Sequence, residues 1–352
     1  MTPSSKYGLS IVTKDPLNAE TQAAAWLEEV TPRGDFYIRN HFGIPQISPS
    51  DWRLKVSAKG RELNEFTLEE IKSLPKVTHR VVLECAGNGR KSLDPQIKGT
   101  AWGFGAVAQA EFSGAPLWDL VKLMDTGNDC SEVVFVGADN GAVRTGEEVA
   151  YARSMSIEAA MDETVLLCWE MNGEALPVEH GFPLRLLVPG HYGMSSVKWL
   201  SEIHFLNEAF EGFFQTDDYV YVLAKGKEDG SLLGAMRVRS LYASHTDGQN
   251  IPTGKHTFRG IAWSGEGAIQ EVVVSIDGGQ SWKAARLDIE SSPYAWVRWS
   301  LTEEIAQPGN YEVLCRASDT AGNQQPMQQY WNKGGYGNNI VQRVKLNATL
   351  AA

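Results

Sequence analysis

The chain has 352 residues, a net charge of −11, 43% hydrophobic residues and 21% charged residues. This composition is that of a folded globular protein too long for a single core, so we expect two domains. The negative charge argues against nucleic acid or an acidic membrane as a partner, because phosphate binding requires clustered cations. No run in the sequence approaches the roughly 20 apolar residues that cross a bilayer.

The elements of the first part of the chain alternate irregularly between strand and helix. After an extended lead-in, the predicted elements are a strand-like segment 36–42, a strand 52–56, a helix 67–74, a strand ending at residue 84, a helix 118–124, a strand 133–136 closed by a turn at 137–141, and further elements at 147–152, 157–161 and 165–169. No regular strand-helix-strand rhythm and no G-x-G-x-x-G loop is present, so we predict an α+β domain and exclude a dinucleotide-binding fold.

After about residue 235 the pattern changes to short strands separated by turn residues. The predicted strands are 269–276, 294–299 and 311–317, and the predicted turns lie at 277–279, 308–309 and 321–323. Turn signals every eight to twelve residues are typical of a β-sandwich. We therefore predict an α+β domain over residues 1–235 and an all-β immunoglobulin-like sandwich over residues 236–352.

The cysteines at positions 85, 130, 168 and 315 are widely separated and form no C-x-x-C pair. This spacing disfavours a zinc ribbon, a thioredoxin-type site and a covalently attached c-type haem. No disulfide is required, and the first ten residues carry neither an apolar signal segment nor twin arginines. We expect a soluble, cytoplasmic chain as written, or a periplasmic one if a targeting segment was removed.

Cys85 is the most informative single residue. It ends the β-branched run at 81–84 and opens the glycine-rich loop 86–91, which includes Arg90 and Lys91. Positive charge near a thiol favours the thiolate, which serves as a soft metal ligand or as a nucleophile. A packed core cysteine is the alternative interpretation, since buried cysteines are common.

Other polar groups stand in otherwise apolar stretches of the first domain. Arg39 and His41 lie in the segment 36–42, His180 and Arg185 flank a Gly-Phe-Pro-Leu stretch, and Lys198 precedes a tryptophan. An arginine makes paired charge-assisted hydrogen bonds to a phosphate, and a lysine acts as a point charge. One such residue is usually a solvated surface cation, but that explanation does not fit well for three cations and two histidines next to Gly/Pro-bent, otherwise apolar stretches.

These motifs, taken together and in order, resemble the sulfite oxidase family of molybdopterin enzymes. The matching segments are 36–41, the Cys-Ala-Gly-Asn-Gly-Arg loop at 85–90, 98–102, 170–173, 180–185, 197–199, 260–265, 275–279, 331–332 and 338–339. The resemblance implies a molybdopterin-binding domain followed by an immunoglobulin-like dimerisation domain, and hence a homodimer.

The resemblance also implies roles for individual residues. Cys85 would be the thiolate ligand of molybdenum, beside one molybdopterin whose pterin and phosphate are held by the following residues: Arg39, His41, Asp139, His180, Arg185 and Lys198. The substrate would be bound by Arg39 and Arg90, walled by Trp102 and approached by Tyr219, which aligns with a tyrosine near the reactive side of the metal. A thiolate suits this role because it donates electron density to the metal throughout a redox cycle. From the residues alone, Tyr219 and Trp102 are equally compatible with ordinary buried aromatic side chains.

The expected reaction is oxidation of the small anion sulfite to sulfate, with electrons passed to an external acceptor such as a cytochrome, another protein or oxygen. We expect no haem or flavin in the chain. Two departures from the family pattern leave the substrate open. Sulfite-oxidising members carry an arginine after the Trp-Asn pair, where this chain has Lys333, and many members have a basic residue at the position of Gly89. Arg237 or Arg239 are candidates to supply the missing guanidinium.

Three alternatives therefore stay open. The same fold serves a reductase of an S-oxide or of an oxyanion such as nitrate, or an oxidase of another sulfur compound. A metal-free enzyme would use Cys85 as the nucleophile and His180 or His41 as the base. A binding protein without catalysis would hold no molybdenum and would keep its fold after Cys85→Ala.

Overall fold

The computed structural model describes residues 5–58, 61–124, 130–222, 228–289 and 292–350. Its helices are short: α1 (Leu68–Lys72), α2 (Leu117–Val121), α3 (Ile157–Ala160), the 3-10 turns Ala23–Leu27, Arg33–Asp35, Arg90–Ser92, Val178–His180 and Gly193–Ser195, and the π-helix Phe213–Asp218. Helix α1 has the capping box that the sequence predicts, since Thr67 accepts from the Glu70 amide and the Glu70 carboxylate accepts from the Thr67 amide.

Most of the regular structure is strand. In the first part of the chain the strands are β1 (Leu9–Lys14), β2 (Leu17–Thr21), β3 (Leu54–Ala58), β4 (Arg61–Phe66), β5 (Val77–Glu84), β6 (Val107–Pro116), β7 (Glu132–Ala142), β8 (Glu148–Ser156), β9 (Leu166–Met171), β10 (Glu174–Ala175), β11 (Arg185–Leu187), β12 (Leu200–Leu206), β13 (Val220–Val222) and β14 (Glu228–Leu232). In the last part they are β15 (Arg239–Tyr242), β16 (Gln249–Pro252), β17 (Gly254–Trp263), β18 (Ile269–Ser275), β19 (Lys283–Ala284), β20 (Arg286–Asp288), β21 (Val297–Ile305), β22 (Gly309–Asp319) and β23 (Gln342–Thr349).

Two five-stranded sheets form the body of the first part. One has the order β4-β3-β12-β7-β8, and the other has the order β10-β9-β6-β5 with β11 paired to β9. In strand β5 the residues before the last, Val81, Val82 and Leu83, are at most 1% exposed. A continuous apolar run of this kind is typical of a strand covered on both faces, and it anchors the start of the Cys85 loop. The few helices and the mixed sheets make this part α+β.

The last part is a sandwich of two sheets, β15-β17-β21-β20 and β16-β23-β22-β18-β19. Alternate residues of the strands point into a shared core that includes Phe258, Val272 and Val313, each at most 1% exposed. The turn at 277–279 has positive φ at both glycines, and Asp277 accepts hydrogen bonds from Ser281 and from the Gln280 amide. The predicted immunoglobulin-like sandwich is confirmed.

Two local predictions were wrong. Segment 36–42 is not a strand. Among the described residues its β-pairing is a bridge between Ile38 and Ala19, and the Asn40 amide donates to the side chain of Asn18 instead of to a neighbouring strand. Residues 137–141 do not form a closing turn, because β7 continues through them with a register shift against β8 between Val136 and Asn140. A bulge admits the Gly and Asp residues that the sequence offers as turn signals.

The two parts pack directly on one another. The Val82 amide donates to the Tyr294 carbonyl, and the Trp296 amide donates to the side chain of Gln109 in β6. Trp263 and Trp296 of the sandwich belong to the main core of the first part. Within the described ranges, no helix has the length and apolarity required to cross a membrane.

Candidate functional site

Two adjoining cavities meet at Cys85. Seven residues that line the inner cavity are among those predicted for the cofactor: Arg39, His41, Cys85, Asp139, His180, Arg185 and Lys198. The residues that line the outer cavity include Arg90 and Trp102. Arg39, Cys85 and Tyr219 line both cavities. The structure therefore brings together all the residues predicted to bind the cofactor and the substrate except the suggested Arg237 and Arg239, and the roles of these residues stay predictions.

Cys85 is presented by the end of a buried strand. Its amide donates to the Ala106 carbonyl at 2.9 Å, which extends the β5–β6 ladder by one residue, and its carbonyl accepts from the Asn88 amide at 2.9 Å, which closes the first turn of the loop. The side chain is 7% exposed and faces both cavities. At Gly87 an added Cβ would lie 2.6 Å from Arg90 Nη2, so a side chain there would displace the Arg90 guanidinium.

The cations of the inner cavity are fixed by backbone carbonyls. Arg185, the first residue of β11, donates to the carbonyls of His180 and Ser196, both at 3.0 Å. Lys198, just before β12, donates to the Glu179 carbonyl at 2.8 Å and to the Asn40 side chain. No carboxylate accepts any of these bonds. Burial lowers the pKa of Lys198 well below its ordinary value, so a bound anion would favour its charged form.

The electrostatics of the inner cavity favour a bound anion. Burial lowers the pKa of His41 well below its ordinary value, and the charges of Arg39 and Lys198 lower it further. Burial, Lys198 and Arg185 have the same effect on the pKa of His180. Both histidines are therefore neutral in the cavity, where they serve as hydrogen-bonding groups. His41 Nε2 lies 2.9 Å from the hydroxyl of Tyr219, whose pKa is raised by burial, so the phenol stays protonated.

Asp139 is the one acidic residue predicted for this site. Its Oδ1 is buried without a hydrogen-bond partner among the described residues. Burial raises the pKa of the carboxyl group to about 6, against the opposing effect of Lys198. A buried polar atom without a partner is costly, so Oδ1 is placed to accept a hydrogen bond from a ligand.

These groups fit the expected molybdopterin. Arg185 and Lys198 suit its phosphate, the free Asp139 oxygen suits the N–H groups of its pterin, and Cys85 offers a thiolate to the metal. In the described ranges no three His, Cys, Asp or Glu side chains converge as a metal site. A single protein thiolate suits a metal whose remaining ligands come with the cofactor.

The outer cavity contains the predicted substrate residues. Arg90 is held by the carbonyls of Thr100 at 2.9 Å and Gly334 at 3.2 Å, and its guanidinium lies 5.2 Å from the ring centroid of Tyr336. Trp102 is fully buried, and its Nε1 has no hydrogen-bond partner among the described residues. Lys333 also lines this cavity, so its charge is present at the position that the sequence questioned.

Arg237 and Arg239 do not replace the missing guanidinium, and that suggestion is wrong. Arg237 donates to the Gly337 carbonyl and lies over the ring of Tyr221, and it lines neither cavity. Arg239 is buried in an ion pair with Glu84. Its guanidinium occupies the space beside Gly89, since a Cβ at that position would lie 2.7 Å from Arg239 Nη2. This accounts for the glycine where relatives were expected to have a basic residue.

Sequence reasoning missed several residues of the outer cavity. They are Arg144, Asp217, Asp218 and Tyr336. Arg144 lies 3.7 Å from Asp217 and 3.9 Å from Asp218, and the ring of Tyr336 packs against that of Tyr219 at an angle of 38°, with the centroids 5.2 Å apart. The adjacency of Asp217, Asp218 and Tyr219 was the available signal. Nothing in the sequence indicates that Tyr336 lies beside Arg90 of the Cys85 loop, which is roughly 250 positions earlier.

Comparison with known proteins agrees with this geometry. Residues 41–214 match the family described as the oxidoreductase molybdopterin binding domain, and residues 232–349 match the Mo-co oxidoreductase dimerisation domain. The chain is 34% identical to sulfite oxidase of Gallus gallus over 93% of its own length and 75% of that protein. It is 33% identical to the mitochondrial sulfite oxidase of Homo sapiens over 96% of its length, which is 65% of that protein.

Two further similarities bear on the reaction. The crystal structure of the sulfane dehydrogenase SoxCD from Paracoccus pantotrophus superposes with a TM-score of 0.84 and 27% identity, covering 98% of this chain and 91% of that one. An NADH nitrate reductase of Ulva prolifera is 30% identical over 96% of this chain and 43% of its own length. The Cys85 site, the two-part fold and the identity along the chain lead to one conclusion: this protein belongs to the sulfite oxidase family of molybdopterin-dependent oxidoreductases.

Proposed function

We propose that this protein oxidises sulfite to sulfate and passes the electrons to an external acceptor. The observation that carries the proposal is the junction of the two cavities. Arg39, Cys85 and Tyr219 line both, so a cofactor in the inner cavity and an anion in the outer cavity meet at the thiol. The relatives named sulfite oxidase support the choice of substrate.

In this proposal the inner cavity holds one molybdopterin through Arg39, His41, Asp139, His180, Arg185 and Lys198. Cys85 provides the protein ligand to molybdenum, and the bound group supplies oxygen-atom transfer and a two-electron redox couple. The chain provides fixed donors for the phosphate, an acceptor for the pterin and a cavity that keeps the thiol at 7% exposure. Partial exclusion of water strengthens the electrostatic interactions among these groups.

The outer cavity binds the substrate. Arg39 and Arg90 present guanidinium donors to the oxyanion, and each arginine can make a paired charge-assisted hydrogen bond. The unpartnered Nε1 of Trp102 offers a further donor. Tyr219 keeps its proton because burial raises its pKa, so its hydroxyl can donate to an oxygen of the anion while His41 maintains its orientation.

The overall reaction consumes sulfite and water and yields sulfate, two protons and two electrons. Sulfur is oxidised, water supplies the added oxygen, and an external acceptor takes the electrons. The C-terminal sandwich forms a homodimer in this proposal, which the match of residues 232–349 to a dimerisation domain supports. We place the division between the two domains at residues 235 and 236.

The test is sulfite-dependent reduction of ferricyanide by the purified protein, with its molybdenum content measured. We expect turnover in the wild type and its loss in Cys85→Ser, by more than the roughly 100-fold seen when outer-shell partners of a metal site are removed. Cys130→Ser is the matched control, because Cys130 lines neither cavity. No turnover by a molybdenum-replete wild type would overturn the sulfite assignment.

Reduction of an oxyanion such as nitrate is the second candidate. It is favoured by Lys333 in place of an arginine and by the similarity to a nitrate reductase. Lysine keeps the charge but lacks the planar fork of arginine. The discriminating measurement is nitrate-dependent oxidation of reduced methyl viologen by the same preparation. Turnover there, without sulfite oxidation, would select the reductase.

A further inference from the structure

Glu84 immediately precedes Cys85 and is the centre of a buried polar cluster. Its Oε1 accepts from Arg239 Nη1 at 2.6 Å and from Asn88 Nδ2 at 3.0 Å, and its Oε2 accepts from Trp263 Nε1 at 3.0 Å. The side chains of Glu84 and Arg239 are each 2% exposed. Arg239 opens β15 and Trp263 closes β17, so two of the three donors come from the C-terminal sandwich.

Arg239 also contacts the Cys85 loop directly. Its Nη1 donates to the Asn88 carbonyl at 3.2 Å, and its guanidinium lies 5.5 Å from the ring centroid of Phe104. Gly89, at φ +82°, leaves the space that Arg239 Nη2 occupies. The guanidinium is therefore inserted between the last residue of β5 and the backbone of the loop.

A second contact from the C-terminal region holds the other side of the loop. Asn338 Nδ2 donates to the Gly89 carbonyl at 2.8 Å and to the Ser92 hydroxyl at 3.0 Å. The Gly337 amide donates to the Ala86 carbonyl at 2.8 Å. The carbonyls of three loop residues, those at positions 86, 88 and 89, thus accept from residues beyond position 235.

We propose that Arg239 is a positioning residue for Cys85, so that the C-terminal sandwich helps to build the active site in addition to forming the dimer. A buried ion pair adds little stability relative to well-packed apolar residues, because desolvation offsets the attraction. Here the ion pair orients the residues next to Cys85. Hydrogen bonds to Glu84 and Asn88 fix the residues on both sides of the thiol.

The test removes the pair without leaving a buried charge. In Glu84→Gln/Arg239→Met the glutamine oxygen accepts from one of the two remaining donors, Asn88 Nδ2 or Trp263 Nε1, while the methionine fills the space and donates nothing. The first measurement is the rate of iodoacetamide labelling at each cysteine of the cofactor-free full-length chain, by mass spectrometry. Cys168 and Cys315 are internal controls, since both are buried and burial raises the pKa of each thiol to about 12.

The proposal predicts that labelling of Cys85 accelerates about tenfold while Cys168 and Cys315 stay unreactive. In the cofactor-loaded enzyme, kcat or molybdenum content should fall about 10- to 100-fold, the range for partners that orient a metal ligand. An unchanged Cys85 rate would overturn the proposal. So would equal acceleration at all three buried cysteines, which would show that the pair only stabilises the fold.

If the double variant does not fold, Gly89→Ala is measured in its place, and the same labelling and kcat results support or overturn the proposal. Its new methyl group would push on Arg239 and leave the charges in place. Gly146→Ala is the matched control, because Gly146 has a similar φ of +88° and no atom within 4 Å of the added Cβ. The kcat measurement rests on the proposed function, but the labelling measurement does not. The labelling rates therefore decide the role of Arg239 even in a protein that is inactive on sulfite.

Discussion

The inner and outer cavities share Cys85 and differ in how their charged groups are held. In the inner cavity Arg185 is 4% exposed and bonded to two backbone carbonyls, and Lys198 is bonded to a third. In the outer cavity Arg90 is likewise bonded to two backbone carbonyls, but Arg144 is exposed and lies near Asp217 and Asp218. Backbone carbonyls fix a cation without neutralising it, whereas a carboxylate cancels much of its charge.

This difference separates cofactor binding from substrate choice. The groups that fit the cofactor come from several elements of the first part of the chain, and Cys85 and Arg185 among them lie at strand ends, where a substitution disturbs the core. The groups that face the substrate lie on loops and can change at small cost. Of the two departures from the family pattern, Lys333 lies on an exposed turn of the outer cavity, whereas Gly89 is buried beside Arg239 in the Cys85 loop. Substitutions in the two cavities should therefore have different consequences.

The largest effect is expected at Arg185. In Arg185→Met the His180 and Ser196 carbonyls lose their donor, and the phosphate loses a fixed cation. Hydrogen bonds to charged groups are each worth about 1.5–3 kcal/mol, so we expect at least a tenfold loss of molybdenum content together with a lower Tm. The measurement is metal analysis after purification. Arg343→Met is the control, since Arg343 pairs with Glu312 on the sandwich surface. Full molybdenum content in Arg185→Met would remove the argument for a phosphate at this position.

The next largest effect is expected in the outer cavity, at Arg90. Arg90→Gln should lower kcat/KM for sulfite about tenfold or more, since it removes a charged donor worth about 1.4 kcal/mol or more to the bound anion. Molybdenum content should stay near that of the wild type, which distinguishes this variant from Arg185→Met. Steady-state kinetics with metal analysis provides the check. Loss of metal in Arg90→Gln would mean that the two cavities are not separable.

A smaller effect concerns Asp139 and pH. The pKa of this buried carboxyl is raised from 3.8 to about 6, so the folded chain retains a proton that the unfolded chain releases. Between pH 4 and 6 the native state binds more protons, and stability therefore falls as the pH rises, by about 2–3 kcal/mol in total. In Asp139→Asn this loss should disappear, so the Tm advantage of the variant over the wild type should grow from pH 4 to pH 6.5.

Thermal unfolding of the cofactor-free chain provides that measurement. Asp51→Asn is the control, because Asp51 is exposed and lies outside both cavities. A Tm difference between Asp139→Asn and the wild type that does not change with pH would contradict the raised pKa.

The sequence was most informative where local chemistry decides the structure. The capping box at Thr67, the strand that ends before Cys85 and the turn at 277–279 follow from short-range rules, and all three are present. The segment 36–42 was predicted as a strand because its residues have high β-propensity. Instead, the Asn40 amide donates to the Asn18 side chain, and Asn40 Nδ2 donates to the Leu17 carbonyl, in a segment whose Arg39 and His41 line the inner cavity. Tertiary contacts, and not local β-propensity, determine the backbone conformation of this segment, which contributes side chains to the site.

Contacts between distant segments were beyond the reach of the sequence. The cluster of Glu84, Arg239 and Trp263 joins positions separated by more than 150 residues, and Arg239 was instead suggested for the substrate pocket. The sequence around a single arginine does not indicate which carboxylate will form an ion pair with it in the folded protein. Lys333 could be placed near the substrate only through the family resemblance, since charge and loop position alone describe any solvated lysine.

The smallest effect is expected at Lys333. The size of this effect tests whether the outer cavity tolerates substitution of an exposed residue. Lys333 is exposed, so water screens its attraction for a substrate anion. Lys333→Met should lower kcat/KM for sulfite by no more than about threefold in dilute buffer, and the difference should vanish near 0.5 M salt, where the Debye length is a few ångströms. Lys72→Met, on the surface helix α1, controls for net charge. A tenfold loss that persists in salt would show that Lys333 contacts the substrate as directly as Arg90 does, and the outer cavity would then be as specific as the inner one.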